Sequence, residues 1–463
     1  MRIEVPDLII GQRPGAFIVG GCVRDLIQGL TPRDIDIAVP GDPRAFAEET
    51  AMRLGGRVFV MGKEQFTVYC VATRKGQIDI MSYKGSDIKE DLLQRDFTVN
   101  ALACRLSDGH IVDVTGGVED LQHGVVRMIS PRAFRDDPVR LVRAFRMAAS
   151  LHFSIERETI GAIGSNARLL QHSAAERIWT ELQRILACPD SHPYLLLMKD
   201  TKILKEILPE LVEHRPGAEG ANQALGAVRS LEALMNQPEF FLPPELAGFV
   251  TSLEEESRVL LKTAMLLRDI GMPLCRTTDA AGRVRHYGYA ARGAELAQAI
   301  GRRLRMSNRH REWLASMIRR HQRPLFLYRT GRGGRKPSPR AIGRFFRQCG
   351  AQVPHLLILS IAGSMAGDNP NAPHPSAWAG FLTEMLTHYV KKIDQQGRAP
   401  ILNGQDLIQN FNLPPSPVLG TLLRRVEELH LAGLLSNRKQ ALQWVAVHLP
   451  KNKNTPGPKA EGV

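Results

Sequence analysis

The sequence predicts an α+β protein, a mixed-sheet head with helices over residues 1–130 followed by an all-helical remainder. Two patterns and one length predict it. The first 130 residues alternate short runs rich in β-branched residues with helical runs, whereas from Asp137 to about residue 449 strand signals nearly vanish and amphipathic patterns dominate. A chain of 463 residues is also too long for a single core and suggests three or four units.

In chain order, strands are expected at Ala16–Gly21, Asp34–Val39, Phe66–Ala72, Gln77–Met81 and His110–Val114, and helices at Val23–Gln28, Pro43–Leu54 and Phe97–Arg105. Clusters of Pro, Gly and polar residues break the helical part near Pro189–Pro193, Pro209–Asn222, Pro238–Pro244, Arg329–Pro339 and Gly367–Pro375. The expected organisation is a head (1–130), a helical neck (131–200), a helical body (201–330) and a helical tail (331–450). Residues 451–463, rich in Lys, Asn, Pro and Gly, are expected to be disordered.

The composition is that of a soluble protein, with 43% apolar and 23% charged residues. Lys and Arg outnumber Asp and Glu by 61 to 47, a net charge of +14, which points to a polyanionic partner because phosphate neutralisation dominates nucleic-acid binding. The six cysteines (22, 70, 104, 188, 275 and 349) are scattered without a C-x-x-C pair, as in a cytoplasmic protein with reduced thiols. No apolar run reaches membrane-spanning length, so no membrane partner is expected.

The chemistry is carried first by Asp34 and Asp36. In a strand, residues two apart project from the same face, so both carboxylates can share one divalent cation, or a close pair of cations, suited to phosphoryl chemistry. Gly20 and Gly21 follow the apolar run Phe17-Ile18-Val19 and precede a helix start, where backbone N–H groups can approach a triphosphate and Arg24 adds a cation. Either motif alone reads as an ordinary turn or a solvated strand end; the order and separation of the two favour a phosphate and metal site at one strand edge.

With these motifs the chain resembles the class II tRNA nucleotidyltransferases and bacterial poly(A) polymerases, of the polymerase-beta-like nucleotidyltransferase superfamily. Residues 90–101 (E-D-L-L-Q-R-D-F-T-V-N-A), 113–128 (D-V-T-G-G-V-E-D-L-Q-H-G-V-V-R-M), 136–147 (D-D-P-V-R-L-V-R-A-F-R-M) and 174–186 (A-A-E-R-I-W-T-E-L-Q-R-I-L) resemble family motifs in the family order. The match is strong over about residues 16–190 and weak beyond. It implies a head of polymerase-beta type in which Asp34 and Asp36, with Asp79 as a possible third carboxylate, hold Mg²⁺ and direct a primer 3′-hydroxyl at the α-phosphorus of CTP or ATP, with release of pyrophosphate. It places Arg95, Asp96 and Asn100 at the ribose and triphosphate, although Asp96 as a helix cap fits the spacing equally well. Gln94 stands where the family usually has a first arginine.

Asp137, Arg140, Arg143 and Arg146 recur every third residue, a slowly winding stripe on a helix. Pro138 suits a first helical position, which would make Asp137 an N-cap. A carboxylate beside an arginine can also accept from an exocyclic amine and donate to the neighbouring ring acceptor, admitting cytosine and adenine while rejecting uracil and guanine without a template strand. The resemblance assigns that reading to Asp137 and Arg140, and phosphate contacts to Arg143 and Arg146.

Residues 261–321 echo a phosphohydrolase domain of the HD type in degenerate form: Arg268-Asp269 stands for its His-Asp pair and Tyr289 for another histidine, so His286 and His321 are expected to be structural or to face RNA. The segment 401–435, with Arg424, Arg425 and Arg438, resembles a tail that could hold tRNA, and the basic, glycine-rich stretch 329–340 reads as a linker or an RNA-contacting loop. Within the family, members add CCA, CC or A, or tail RNA as poly(A) polymerases. The stretch Ile80–Lys89 is roughly ten residues shorter than the family's flexible loop, as in CC-adding enzymes, which implies a companion A-adding enzyme. The expected partners are therefore the tRNA 3′ end and CTP or ATP; a non-catalytic RNA-binding protein is the alternative of a different class.

Overall fold

The computed structural model describes residues 14–32, 34–62, 67–74, 76–213, 219–331, 336–366, 375–394 and 400–449. The chain packs as two units, one ending at Glu213 and also including Arg303–Met306, the other formed by the rest. The expectations at Phe66, at residues 332–335 of the 329–340 loop, at residues 367–374 of the Gly367–Pro375 break and in the C-terminal tail lie outside the described residues.

The first unit opens with β1 (Phe17–Val19), α1 (Gly21–Ile27), β2 (Asp34–Val39), α2 (Arg44–Leu54), β3 (Arg57–Met61), β4 (Val68–Thr73), β5 (Gly76–Ser82), α3 (Ile88–Leu93), β6 (Leu102–Arg105) and β7 (Ile111–Asp113). The strands form one mixed sheet in the order β3-β4-β5-β2-β1-β6-β7. Within it β2 and β5 run parallel, with Asp36 opposite Asp79, and every other pair is antiparallel. The two-residue period of β2 sorts its side chains. Ile35, Ile37 and Val39 join a core with Ile18, Cys22, Val23, Phe46 and Ala47, on the face covered by α1 and α2. Ala38 joins the opposite core with Val19, Ile88, Leu92 and Ala103, so Asp34 and Asp36 share the α3 face of the sheet.

Two elements depart from the sequence expectation. Phe97–Arg105 is not a helix: a 3₁₀ turn at Thr98–Asn100 leads into β6, which lies between β1 and β7. Leu102 and Cys104 pack into one core and Ala101 and Ala103 into the other, and a strand buried on both faces lacks the alternation that would distinguish it from a helix. The edge strand β3 answers to no expected element; its Phe59, Val60 and Met61 are exposed.

The motif at 113–128 is an anchor for this turn. Asp113 accepts hydrogen bonds from the backbone N–H groups of Thr115, Gly116, Gly117 and Val118 at 2.9–3.0 Å and so starts α4 (Gly117–His123). A Cβ on Gly117 would lie 2.2 Å from the Thr98 carbonyl oxygen, and Asp120 accepts from the Thr98 hydroxyl at 2.7 Å and from Arg127 at 2.9 Å. Asp113→Ala should lower the stability of this unit by about 1–2 kcal/mol, the scale of a lost helix cap. Thermal denaturation checks this, and an unchanged Tm would contradict it.

Past a short parallel pairing of β8 (Val125–Val126) with β9 (Ser154–Ile155), the unit is helical: α5 (Arg132–Asp136), α6 (Arg140–Leu151), α7 (Arg157–Asn166), α8 (Ala175–Ala187) and shorter helices to Glu213. α6 and α8 pack on each other, burying Leu141, Val142, Phe145 and Met147 of one and Ile178, Trp179, Leu182 and Ile185 of the other. The second unit is built of helices apart from a two-residue hairpin pairing at Thr277–Arg285. It includes a buried ion pair, Lys262 to Glu232 at 2.7 Å, and a separate C-terminal core around Leu407, Leu422, Val426 and Val445. Among the described residues no helix is long and apolar enough to cross a membrane.

Candidate active site

A cleft of about 350 Å³ in the first unit, within the range of small-molecule sites, gathers most of the predicted residues. It is lined by Gly20, Gly21 and Arg24 from the β1–α1 turn, Asp36 from β2, Arg95, Asp96 and Asn100 from the segment before β6, and Arg140, Arg143, Arg146 and Met147 from α6. The turn is as narrow as its glycines allow. Gly20 has φ 75°, and a Cβ there would sit 3.0 Å from Arg95 Nη1 and 3.9 Å from an Asp36 carboxylate oxygen. Its own N–H is taken by the Leu102 carbonyl at 3.0 Å, which ties the turn to β6.

On the sheet side, Asp34 is exposed and Asp36 half-buried. Burial, and after it the neighbouring Asp79 and Asp34 charges, push the Asp36 carboxyl up to about 6 against the pull of Arg95. Crowded carboxylates short of positive charge are a donor set that suits a hard divalent cation, and the two on β2 face the cleft side of the sheet. Among the described residues, however, no group of three or more His, Cys, Asp or Glu side chains is arranged to hold a metal ion. Asp79, opposite Asp36 on β5, accepts a 2.7 Å hydrogen bond from Gln77; of the three carboxylates Asp36 lines the cleft, and Asp34 and Asp79 do not.

The arginines of the cleft differ in how they are held. Arg24 donates to Asp25 at 2.7 Å and to the Asn100 side-chain oxygen at 2.8 Å, and Arg95 pairs with Asp91 at 2.9 Å. Arg143 bridges Asp96 at 3.3 Å and Glu181 of α8 at 3.1 Å; Arg146 reaches the other Glu181 oxygen at 2.7 Å. Burial opposes the charge on both. For Arg143 the two carboxylates outweigh burial and raise its pKa, whereas Arg146 is lowered. Arg140 meets backbone carbonyls in place of carboxylates, Ala133 and Gln94 at 3.4 Å each, and its buried Nε has no hydrogen-bond partner. A cation so held is ready for a ligand acceptor.

Asp137 does not cap α6. The helix begins at Arg140 with Val139 before it, and Pro138 lies in the preceding turn. The Asp137 carboxylate instead takes both terminal nitrogens of Arg177 on α8, at 3.0 and 2.7 Å, outside the cleft lining. Bidentate charged bonds of this kind outbid a backbone N–H. Burial raises its pKa, but Arg177, with Arg143 and Arg140, more than offsets this and leaves the carboxyl below its ordinary value. Asp96 is no ordinary cap either: one oxygen accepts from the Phe97 N–H at 2.9 Å and from the Asn100 amide at 3.3 Å, and the other meets Arg143.

Three comparisons bear on this arrangement. A family model described as the poly A polymerase head domain matches residues 16–127, one for an RNA and SrmB binding site of polymerase A matches 152–214, and one for tRNA nucleotidyltransferase domain 2 matches 380–446. The CC-adding tRNA nucleotidyltransferase of Thermus thermophilus is 31% identical over 92% of each chain. The chain belongs to the tRNA nucleotidyltransferase family. The A-adding tRNA nucleotidyltransferase of Deinococcus radiodurans is 30% identical over 93% of this chain and 95% of its own. The fold is that of the Thermotoga maritima CCA-adding enzyme complexed with tRNA-CCA, with a TM-score of 0.66 at 20% identity over 94% of this chain and 91% of the other.

In this tRNA nucleotidyltransferase the HD-like centre of the second unit is closed upon itself. His321 Nδ1 donates to the Ile318 carbonyl at 2.6 Å, so Nε2 accepts from the Tyr289 hydroxyl at 3.0 Å. Asp269 lies 3.7 Å from that nitrogen and takes Arg268 Nε at 3.1 Å. Burial holds the His321 pKa below its ordinary value, and His286 is bound to the Met272 carbonyl at 2.8 Å. Both histidines are held by carbonyls of the chain itself. In the C-terminal segment Arg438 pairs with Asp406, and Arg424 bonds to Thr421 at 3.4 Å.

The sequence reading missed Met147, whose sulfur accepts from Arg146 at 3.1 Å, and the α8 pair Arg177 and Glu181. Met147 follows Arg140 and Arg143 at i+7 and i+4, a helical spacing that could have signalled it. Arg177 and Glu181, also four apart, gave no signal of their partners, since their contacts cross 35–40 residues of chain.

Proposed function

We propose that the enzyme adds two cytidylates to the 3′ end of tRNA, using Mg²⁺ held by Asp34 and Asp36. The family supplies transfer of nucleotides to tRNA; the number and kind of nucleotide is the inference. Identity does not divide the possibilities, because CC-adding and A-adding relatives match at 31% and 30%. The connection after β5 carries the reading. Only residues 83–87 separate β5 from α3, and they are tied down: the Lys84 N–H donates to Asp91 at 2.9 Å, the Ser86 N–H to Glu90 at 2.8 Å, and Asp87 caps α3 through the Glu90 N–H at 3.0 Å. A short capped turn has no room to rearrange for a different base.

Roles follow from the geometry of the cleft. Gly20 and Gly21 admit phosphate to the start of α1, Arg24 and Arg95 neutralise it, and Asp96 and Asn100 orient the sugar. Asp34 and Asp36 would hold a divalent cation, which would supply charge neutralisation at the triphosphate and acidify the primer hydroxyl. Asp137 accepts from the cytosine amine while Arg140 donates to the adjacent ring acceptor, so that α6 takes the place of a template. Arg143, with N–H groups beyond those given to Asp96 and Glu181, and Arg146, whose Nε lies beside Glu181 without a hydrogen bond, contact the phosphates. We assign residues 1–130 to the catalytic head, 131–200 to the base-reading neck, and 201–330 and 331–450 to a body and tail that hold tRNA. The tRNA substrate and the six cysteines, none joined in a disulfide, support a cytoplasmic setting.

The test is incorporation of each labelled nucleotide, with Mg²⁺, into tRNA lacking its 3′ end and into tRNA ending in CC. Two C additions to the first and none of A to the second are expected. Addition of A to either would replace the CC reading by CCA or A addition, and sustained ATP tailing of unstructured RNA would replace it by poly(A) synthesis.

A further inference from the structure

The α8 helix repeats a family-like motif, yet none of its residues lines the cleft. It nevertheless presents two charged side chains four residues apart, one turn on the same helix face, toward the stripe on α6. Glu181 holds Arg143 and Arg146, and Arg177 holds Asp137 through two parallel hydrogen bonds. We propose that Arg177 is a specificity-determining residue: by gripping Asp137 it fixes the carboxylate that reads the base, and so enforces rejection of UTP and GTP. This rests on the reading of Asp137 as the base acceptor.

The argument is one of carboxylate chemistry. Each carboxylate oxygen has two lone pairs, and a bidentate guanidinium uses one on each, leaving the others for an exocyclic amine. Admission of cytosine needs only an acceptor. Rejection of uracil and guanine needs more, because those bases present a carbonyl oxygen where cytosine presents an amine. The carbonyl is repelled only by a carboxylate that can neither rotate away nor take up a proton and become a donor. Arg177 blocks both escapes, with a planar fork that fixes orientation and a charge that keeps the group ionised. Arg140 cannot do this, since its guanidinium is held by the Ala133 and Gln94 carbonyls. A merely structural role would look different: the pair, with side-chain exposures of 50% and 25%, would then affect Tm and leave the ranking of the four nucleotides unchanged.

The test uses the full-length enzyme, with kcat/KM measured for all four nucleotides on tRNA lacking its 3′ end, beside the melting temperature. Arg177→Gln should raise incorporation of UTP and GTP relative to CTP by about tenfold, within the range of one bidentate base contact, with Tm shifted by no more than about 3 °C. Arg177→Lys, which keeps the charge but not the fork, should recover part of the discrimination. The double variant with Asp137→Ala should be no more permissive than Asp137→Ala alone. If Asp137→Ala relaxes selection and Arg177→Gln does not, the proposal is overturned while the base-reading role of Asp137 stands. If Asp137→Ala leaves selection intact, both fall.

Discussion

Asp36→Ala is expected to reduce nucleotide incorporation on the order of a thousandfold or more, with tRNA affinity changed little. Asp34→Ala should behave alike. In the proposed division of roles the carboxylates on β2 serve the reacting phosphate, whereas basic side chains elsewhere bind tRNA. The fold itself has no need of Asp36. Its folded pKa of about 6 lies above its ordinary 3.8, so folding favours the protonated form. The ionised group therefore costs stability, a cost absent well below pH 3.8 and fully present above pH 6. Without added metal at pH 8, Asp36→Asn should melt no lower than the parent enzyme. A variant that loses activity because it unfolds, or one that turns over nearly normally, would remove Asp36 from the catalytic site.

Arg140→Ala should relax discrimination against UTP and GTP by about 1–3 kcal/mol, the worth of a good bidentate base contact, and lower affinity for the triphosphate much less. The reason is its environment. Arg140 alone among the cleft arginines is held by carbonyls and not by a carboxylate, so its loss leaves no buried acid unpaired. Arg143→Ala removes a partner from both Asp96 and Glu181, and should weaken all four nucleotides alike while also destabilising the α6–α8 contact. Steady-state incorporation of the four nucleotides, measured for both variants beside Tm, separates base reading from phosphate binding. Equal loss for all nucleotides in Arg140→Ala would refute its role as a reader.

The gathering of most predicted residues at one cleft was legible in the sequence because their signals are local. Asp34 and Asp36 declare a shared face through the two-residue strand period, Gly20 and Gly21 sit between an apolar run and a helix start, and the α6 stripe recurs at a fixed interval. What was not legible depends on distant partners. Nothing near Asp137 in the chain shows that Arg177, 40 residues on, takes the carboxylate that local rules offer to a helix cap. Nor does the run at 102–105 betray that it is a central strand, because burial on both faces erases its alternation. Asp79 lies opposite Asp36 on the neighbouring strand, and its hydrogen bond to Gln77 had no signal in the sequence.

The central claim is that Asp137, just before α6, and Arg140, its first residue, stand in the place of a nucleic-acid template and read the incoming base. A crystal structure of the enzyme with CTP tests it most directly. The account predicts the triphosphate against Gly20, Gly21 and Arg24, and the cytosine amine and ring acceptor within about 3 Å of Asp137 and Arg140. CTP bound with its base turned away from α6, or seated outside this cleft, would contradict it.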